Sequence, residues 1–295
     1  MRQKYSTVIL LILAGIALLI WSRVIYASPS ASGKPEIEVD FLDVGQGDAI
    51  FIKLPNGDQA LVDGGPNDAV LNEIGRRMPP FDRKIEHIVL THPHADHLTG
   101  LVKVIERYEV GEIIETDVSY TSATFKRWQD DIKSRNVPVR LVRQGQTYDW
   151  GSGVKLEVLW PDKSFSGVED NAADGAVMND TSVIGRLRFG ETGFMLTGDA
   201  EEGPQASLCN AIDAEKLKSQ VLKIAHHGSS GGTAECFLQK VAPQTAVISA
   251  GKDNKYHHPH AETLELLARF IIEILRTDQV GTVSFLSNGS TVVEK

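Results

Sequence analysis

The chain has 295 residues, with 30 Lys and Arg against 39 Asp and Glu, a formal charge of −9. Hydrophobic residues at 42% and charged residues at 23% fit a globular body with a sizeable core and exclude a mostly disordered chain. Two cysteines exclude a disulfide scaffold, a Cys-rich zinc finger and a thiolate-held iron–sulfur cluster.

Residues 1–28 carry Arg2, Lys4 and Arg23 and no acidic residue, which leaves 27 basic against 39 acidic residues, a balance of −12, for the remainder. So acidic a body lacks the broad basic field of a duplex-DNA binder. Behind the basic start, Val8 to Trp21 is an unbroken run of apolar and small residues. This pattern predicts that residues 1–27 are an export signal peptide, cut after Ala27 or at Ala31, or else an uncleaved membrane anchor. By either route the leading positive charge predicts a body outside the cytoplasm, secreted or tethered to the membrane through the N-terminal helix alone. Residues 28–36 are rich in Ser, Pro and Gly and form a linker, and residues 37–295 form one domain.

Within that domain, Ile37 to Val44, Ala49 to Leu54 and Gln59 to Val62 pattern as strands, the last two joined by the turn Pro55-Asn56-Gly57-Asp58. Asp68 to Met78 has helical spacing and stops at Pro79-Pro80. Ile85 to Leu90 is a predicted strand, His97 to Tyr108 a helix, Glu112 to Glu115 a strand and Ala123 to Ser134 a helix. Val139 to Val142 and Val154 to Leu159 are strands, and Ser164 to Met178 is a polar loop. Thr181 to Phe189 and Gly193 to Thr197 form a hairpin, followed by helical spacing over Gly203 to Ala211. Val221 to Ala225, Thr245 to Ser249 and Ile271 to Leu275 are strands, interleaved with helices at Thr233 to Val241 and Glu262 to Phe270. A hairpin at Asn288-Gly289 closes the domain. Strand runs in both halves, each leading into β/α units, predict packed sheets with helices outside.

Eight of the nine histidines fall in three short clusters, and only His87 stands alone. His92-Pro93-His94-Ala95-Asp96-His97 follows an apolar strand and precedes a helix. Imidazole and carboxylate together suit a borderline divalent ion such as zinc. Four such ligands within six residues cannot all reach one ion without strain. His92 and His94 face one way on an extended backbone, whereas Asp96 and His97 face the other way at the helix start, so the spacing predicts two adjacent metal sites. Thr197-Gly198-Asp199 then ends a strand and offers Asp199 as a bridge between the ions. His226-His227-Gly228-Ser229 ends another strand. His226, directly after the strand, is expected to complete the second site, with His227 fixing its geometry from behind. His257-His258-Pro259-His260 offers an outer contact, a substrate contact or a general acid.

These elements resemble the metallo-β-lactamase superfamily, and within it the hydrolase domain of the competence protein ComEC. The likeness rests on Phe41-Leu42-Asp43-Val44-Gly45-Gln46-Gly47-Asp48-Ala49, Asp63-Gly64-Gly65, Asn179-Asp180-Thr181-Ser182 and Leu196-Thr197-Gly198-Asp199. His226-His227-Gly228-Ser229, His258-Pro259-His260 and Arg276-Thr277-Asp278 complete it. The resemblance implies a four-layer αββα metallo-β-lactamase-like sandwich in the α/β class, with a dinuclear metal site at one edge. Many members of the superfamily supply a further histidine before the Gly-Asp element, but residues 171–182 contain none. Asp180 or water is left to fill that place, and manganese then competes with zinc.

The implied chemistry is hydrolysis by a metal-bound hydroxide. His92, His94, Asp96, His97, Asp180, Asp199 and His226 are the metal ligands in this reading. Asp96 or Asp199 orients the hydroxide, and His227, Ser229 and His258 contact the substrate or its leaving group. A DNA strand or another phosphodiester is the implied transient substrate; a lactone, β-lactam or other small carboxyl derivative is the alternative. Lys223, Lys252, Lys255, Arg186 and Arg188 are expected to form a local basic rim. A decayed site that only binds conflicts with the intact motifs. Asp43, Gly45, Gln46 and Asp48 are expected to form a tight glycine turn. Cys209 and Cys236 are expected as two buried thiols, with export leaving a disulfide open. Trp128, Trp150 and Trp160 are expected in the core.

Overall fold

Strands with a period of two fill two sheets in the computed structural model, which describes residues 13–16, 35–168 and 175–295. Residues 13–16 are helical and exposed; the rest of the expected signal or anchor, and residues 28–34 of the expected linker, lie outside the described residues. Among the described residues no helix is long and apolar enough to cross a membrane.

The first sheet runs in the order β15 (Val292–Glu294), β14 (Val283–Ser287), β1 (Ile37–Phe41), β2 (Ile50–Lys53), β3 (Gln59–Val62), β4 (Lys84–Val89), β5 (Glu109–Glu115), β6 (Val139–Leu141). The second runs β13 (Glu273–Arg276), β12 (Thr245–Ile248), β11 (Val221–Lys223), β10 (Thr192–Leu196), β9 (Ile184–Phe189), β8 (Val154–Trp160), β7 (Thr147–Asp149). Each sheet is antiparallel in one half and parallel in the other, from β3 to β6 and from β10 to β13. In the parallel halves, the helices between strands must cross over the sheet faces, which puts helices outside both sheets.

Strand alternation sorts the core into three layers. Val39, Phe41, Ile50 and Ile52 meet Leu187, Phe194, Leu196 and Val247 between the sheets. Phe51, Leu61, Ile88 and Ile113 turn outward against Ile74, Leu98, Leu101, Ile105 and Trp128 of the helices Ala69–Arg77, Ala95–Arg107 and Ala123–Arg135. Met195, Leu222 and Ala246 turn outward on the second sheet against Leu208, Phe237 and Leu267 of the helices Glu202–Ala211, Glu235–Val241 and Ala261–Arg269. The architecture is the expected αββα sandwich, and Trp128, Trp150 and Trp160 are all buried in it.

Boundaries shift where side chains capture the backbone. β1 stops at Phe41 and not at Val44, because Asp43 and Gly45 begin the expected glycine turn: Gly45 N–H meets Asp43 Oδ1 at 3.3 Å and Gly45 has φ +84°. The short β7 escaped the sequence reading; three residues carry too little alternation to register. Within the expected 164–178 loop, residues 169–174 lie outside the described residues, and a helical turn, Gly175–Asn179, follows them.

The expected pair of free thiols is overturned. Cys209 and Cys236 form a disulfide, because the helices Glu202–Ala211 and Glu235–Val241 bring their Cα atoms to 6.2 Å. Helix pairing across 27 residues of chain cannot be seen in sequence spacing. Closing a loop of that length removes about 3.5 kcal/mol of unfolded-state entropy. Reduction, or Cys209→Ala with Cys236→Ala, is therefore expected to lower the denaturation midpoint measurably. Melting curves with and without reductant check this, and coincident curves would exclude a stabilising bond.

Candidate metal centre

The carboxyl ends of parallel strands from both sheets open on one edge, where ligands collect in α/β folds. Asp63 follows β3, His92 follows β4, Asp199 follows β10, His226 and His227 follow β11, and Ser249 follows β12. The helix Ala95–Arg107 starts two residues earlier than expected, so Asp96 and His97 sit on its first turn.

Four imidazoles converge on one oxygen. Asp199 Oδ2 lies 3.2 Å from His97 Nε2, 3.6 Å from His227 Nε2, 3.9 Å from His92 Nε2 and 4.0 Å from His226 Nε2. The opposite ring nitrogens are each engaged elsewhere. His97 Nδ1 is 2.8 Å from Asp63 Oδ2, and His226 Nδ1 is 2.5 Å from Glu201 Oε1. His227 Nδ1 is 2.8 Å from the Ser249 carbonyl, and His92 Nδ1 is 3.2 Å from Thr91 Oγ1. Thr91 in turn donates its N–H and O–H to the Asp63 carboxylate at 2.8 and 2.7 Å. Acceptors on Nδ1 fix the ring orientations and turn the Nε2 atoms inward, as the outer partners of metal ligands do.

The donor set fits a divalent ion. Ligand atoms of Asp96, His97, Asp199 and His227 all lie within 4.8 Å of one another. Tetrahedral zinc bonds of about 2.0–2.1 Å place ligands roughly 3.3–3.5 Å apart, close to the spacing around Asp199 Oδ2. His97 Nε2 and Asp199 Oδ1 are buried without a well-aligned hydrogen bond, which is costly unless something else satisfies them. His94 adjoins through Nδ1, 3.0 Å from His92 Nε2.

Three expectations need correction. The place beside Asp96 and His97 goes to His227 and not to His226: His227 Nε2 is 3.2 Å from Asp96 Oδ2. β11 ends at Lys223, and both histidines take left-handed backbone, φ 47° and 54°, so strand parity says nothing about which ring faces where. Asp180 is not brought to the cluster; its Oδ1 accepts from the Glu201 N–H at 3.3 Å. The basic rim shrinks. Lys223 is completely buried, and Arg186 and Arg188 pair with Glu157 at 3.6 and 2.7 Å, away from the cleft. Lys252 and Lys255 remain exposed, and Lys255 Nζ lies 4.9 Å from the ring centroid of the cleft residue Tyr256. Ser229 is buried and does not line the cleft, whereas His258 does.

The sequence reading missed Asp63 and Glu201, and it gave Asp48 only a place in the glycine turn, whereas Asp48 Oδ1 also lies 3.5 Å from His227 Nδ1. Both aspartates stood in quoted motifs, next to glycines, so the signal was present but unassigned. Gln46 also matters: its Oε1 accepts from Gly251 N–H at 3.0 Å and its Nε2 is 3.4 Å from His258 Nδ1. Gln46 and His258 join His94, Asp96, Glu201 and His226 around an open cleft of about 480 Å³.

Charge settles unevenly here. Burial would lower His227, but Asp199 and Asp48 overcome it and push the ring up to about 10. Burial also works against His97, yet Asp199 and Asp63 hold it well above its ordinary range. Burial would raise Asp199, but His97 and His227 hold it well below. His92 is held well down by burial, and His258 is lowered to about 4 by burial and then by His227 and His226. Metal-free His227 thus carries a proton at neutral pH, and an ion must displace it to reach Nε2. His97, held up in the same way, gives up its proton to the same ion, so zinc affinity is expected to rise with pH by up to about a hundredfold per unit for two displaced protons. Titration calorimetry at two pH values below 8 checks it, and equal affinities would contradict the bound proton. The raised ring also stabilises the metal-free fold below the ordinary value of 6.5, a contribution lost as pH climbs through about 10.

Comparison with known proteins agrees with this fold. The family model of the metallo-beta-lactamase superfamily matches residues 42–252, so the chain belongs to that superfamily. Within it the chain is ComEC-like, as its curated relatives show. It is 30% identical to ComE operon protein 3 of Bacillus subtilis, over 96% of this chain and 37% of that protein. It is 27% identical to competence protein ComA of Neisseria gonorrhoeae, over 95% of this chain and 37% of that one. The chain thus spans little more than a third of the length of these relatives. Among solved structures, the metallo-beta-lactamase fold protein YhfI of Bacillus subtilis superposes with a TM-score of 0.54 at 12% identity, covering 89% of this chain and 100% of that one. CmlA, a diiron beta-hydroxylase of Streptomyces venezuelae, gives 0.52 at 12% identity, covering 90% and 55%. At such identities the likeness concerns the fold alone.

Proposed function

We propose that this chain is an exported phosphodiesterase or nuclease that works with two divalent ions, zinc first and manganese as its competitor. The convergence of four Nε2 atoms on Asp199 Oδ2 carries the reading. Asp96, His97 and His227 would hold one ion; His92, His94 and His226 would hold the other; Asp199 would serve both. Ions held there supply Lewis acidity and an activated water at neutral pH. The protein's own groups do the rest. Asp63, Glu201, Ser249 and Thr91 hold the imidazoles in register. Asp96, Asp199 and Glu201 line the cleft, and in this reading Asp96 and Asp199 take up a proton released there. His258, lowered to about 4, is neutral at pH 7 and serves as a hydrogen-bonding contact to the substrate. Lys252 and Lys255 supply local positive charge for a phosphate.

Similarity to competence proteins supports a nucleic-acid strand or related phosphodiester as the substrate. The acidic body matches a transient substrate and not a long, tightly held duplex. The Cys209–Cys236 disulfide supports an oxidising compartment, and the apolar run from Val8 to Trp21 supports export or anchoring. Purified protein supplied with zinc or manganese is to be assayed on single-stranded DNA, bis(p-nitrophenyl) phosphate and nitrocefin. Phosphodiester cleavage that a chelator removes is the expected result. Turnover of nitrocefin or a lactone alone would replace this reading with the carboxyl-derivative alternative, and inertness toward all would overturn both.

A further inference from the structure

Lys223 is the cation that sequence reasoning placed on the surface and the fold places beneath the metal centre. It ends the fully buried strand β11 and is itself completely inaccessible. An ammonium carries three donor protons, and three oxygens face this one. Nζ donates to the Gly198 carbonyl at 2.8 Å, pairs closely with Asp48 Oδ2 and lies 3.6 Å from Asp199 Oδ1. Asp199 Oδ1 is buried and has no hydrogen bond of its own, so the ammonium is its facing charge. The other oxygen, Oδ2, faces the four imidazoles.

We propose that Lys223 is a positioning residue of the metal centre: it occupies Oδ1 of Asp199 and so commits that carboxylate to its ions through Oδ2 alone. A carboxylate with both oxygens free chelates one ion with the pair, at the expense of a neighbour. With one oxygen set against a fixed cation, the remaining oxygen is left to be shared. Lysine suits the task as a compact point charge on a stem long enough to run under the site. Gly198 and Asp48 hold its other protons, so the ammonium cannot swing into the cleft. The proposal rests on the two-ion reading, since it takes Asp199 as the shared ligand.

The competing account is an internal ion pair that only ties strand ends together. It predicts lost stability with unchanged metal binding, so metal binding decides. Lys223→Met removes the cation with little change in length. Lys223→Met with Asp48→Asn also removes the buried carboxylate that loses its ammonium and would then face only His227 and His97. Zinc affinity and stoichiometry are to be measured by calorimetry, and manganese loading by electron paramagnetic resonance. In both variants, loss of this outer partner is expected to weaken binding by about 10- to 100-fold and to replace the spectrum of a coupled manganese pair by that of single ions. A folded variant with wild-type affinity and a coupled-pair spectrum overturns the proposal. So does failure of both variants to fold, which assigns the pair to the strand ends. Wild-type protein that takes up no ion sinks the two-ion reading and this proposal together. Wild-type protein that binds two ions, matched by the variants, sinks this proposal alone.

Discussion

In the proposed two-ion phosphodiesterase, Asp199→Ala is expected to empty both metal positions and to lower phosphodiester turnover by on the order of a thousandfold or more. Loss of an outer partner alone costs about 10- to 100-fold in metal affinity or activity, and Asp199 is central where those partners are peripheral. Four imidazole nitrogens and one ammonium face its two oxygens within 4.0 Å. The same substitution leaves buried positive charge at His97, His227 and Lys223 without its carboxylate. Breaking a buried pair on one side costs about 3–5 kcal/mol, so the metal-free variant is also expected to melt earlier. Asp199→Asn separates the two effects. It keeps the shape and restores one acceptor, so stability recovers in part while ion binding does not. Elemental analysis of the purified variants, set beside melting curves, reads both quantities. Two ions retained per Asp199→Ala chain would remove Asp199 from the centre.

What could be read from the sequence was what chemistry places close together along the chain. His92, His94, Asp96 and His97 lie within six residues, and a strand leading into a helix is enough to aim them. Asp199 was legible because a carboxylate at a strand end beside glycine has few other duties in such company. Assignments that depended on tertiary packing failed. His226 and His227 could not be told apart, because two successive left-handed residues break the strand parity that the choice relied on. Lys223 resembled a rim residue until Asp48, from a turn 175 positions earlier in the chain, closed over it. Asp180 sat in the right stretch, but its carboxylate is engaged by the backbone ahead of the helix Glu202–Ala211. Cys209 and Cys236 likewise depended on which helices would lie side by side. Local pattern carries ligand identity, and packing decides ligand partnership.

Packing also decides how firmly the centre is held, and Gly100→Ala is expected to show it with the largest effect on stability of any single methyl addition considered. A Cβ at Gly100 would stand 1.8 Å from the Gly64 carbonyl oxygen, and one at Gly64 would stand 2.3 Å from the Leu101 nitrogen. The clashing atoms are backbone, so no rotamer change relieves them. Gly64 N–H donates to the His97 carbonyl at 2.7 Å and Gly100 N–H to the Gly65 carbonyl at 2.9 Å, which clamps the helix Ala95–Arg107 to the Asp63-Gly64-Gly65 turn. That clamp sets the 2.8 Å contact between Asp63 and His97 Nδ1. Alanine in a helix interior gains only about 1 kcal/mol over glycine, whereas overpacking costs about 1–3 kcal/mol and more where backbone must move. Net loss of about 2 kcal/mol or more is expected, together with weaker zinc binding as His97 shifts from Asp63. Gly75 provides the control. It is exposed in the helix Ala69–Arg77 and nothing lies within 4 Å of its Cβ position, so Gly75→Ala should stabilise by up to about 1 kcal/mol. Chemical denaturation of the two variants tests the contrast, and equal shifts would mean that the turn yields to the helix and does not hold His97 in place.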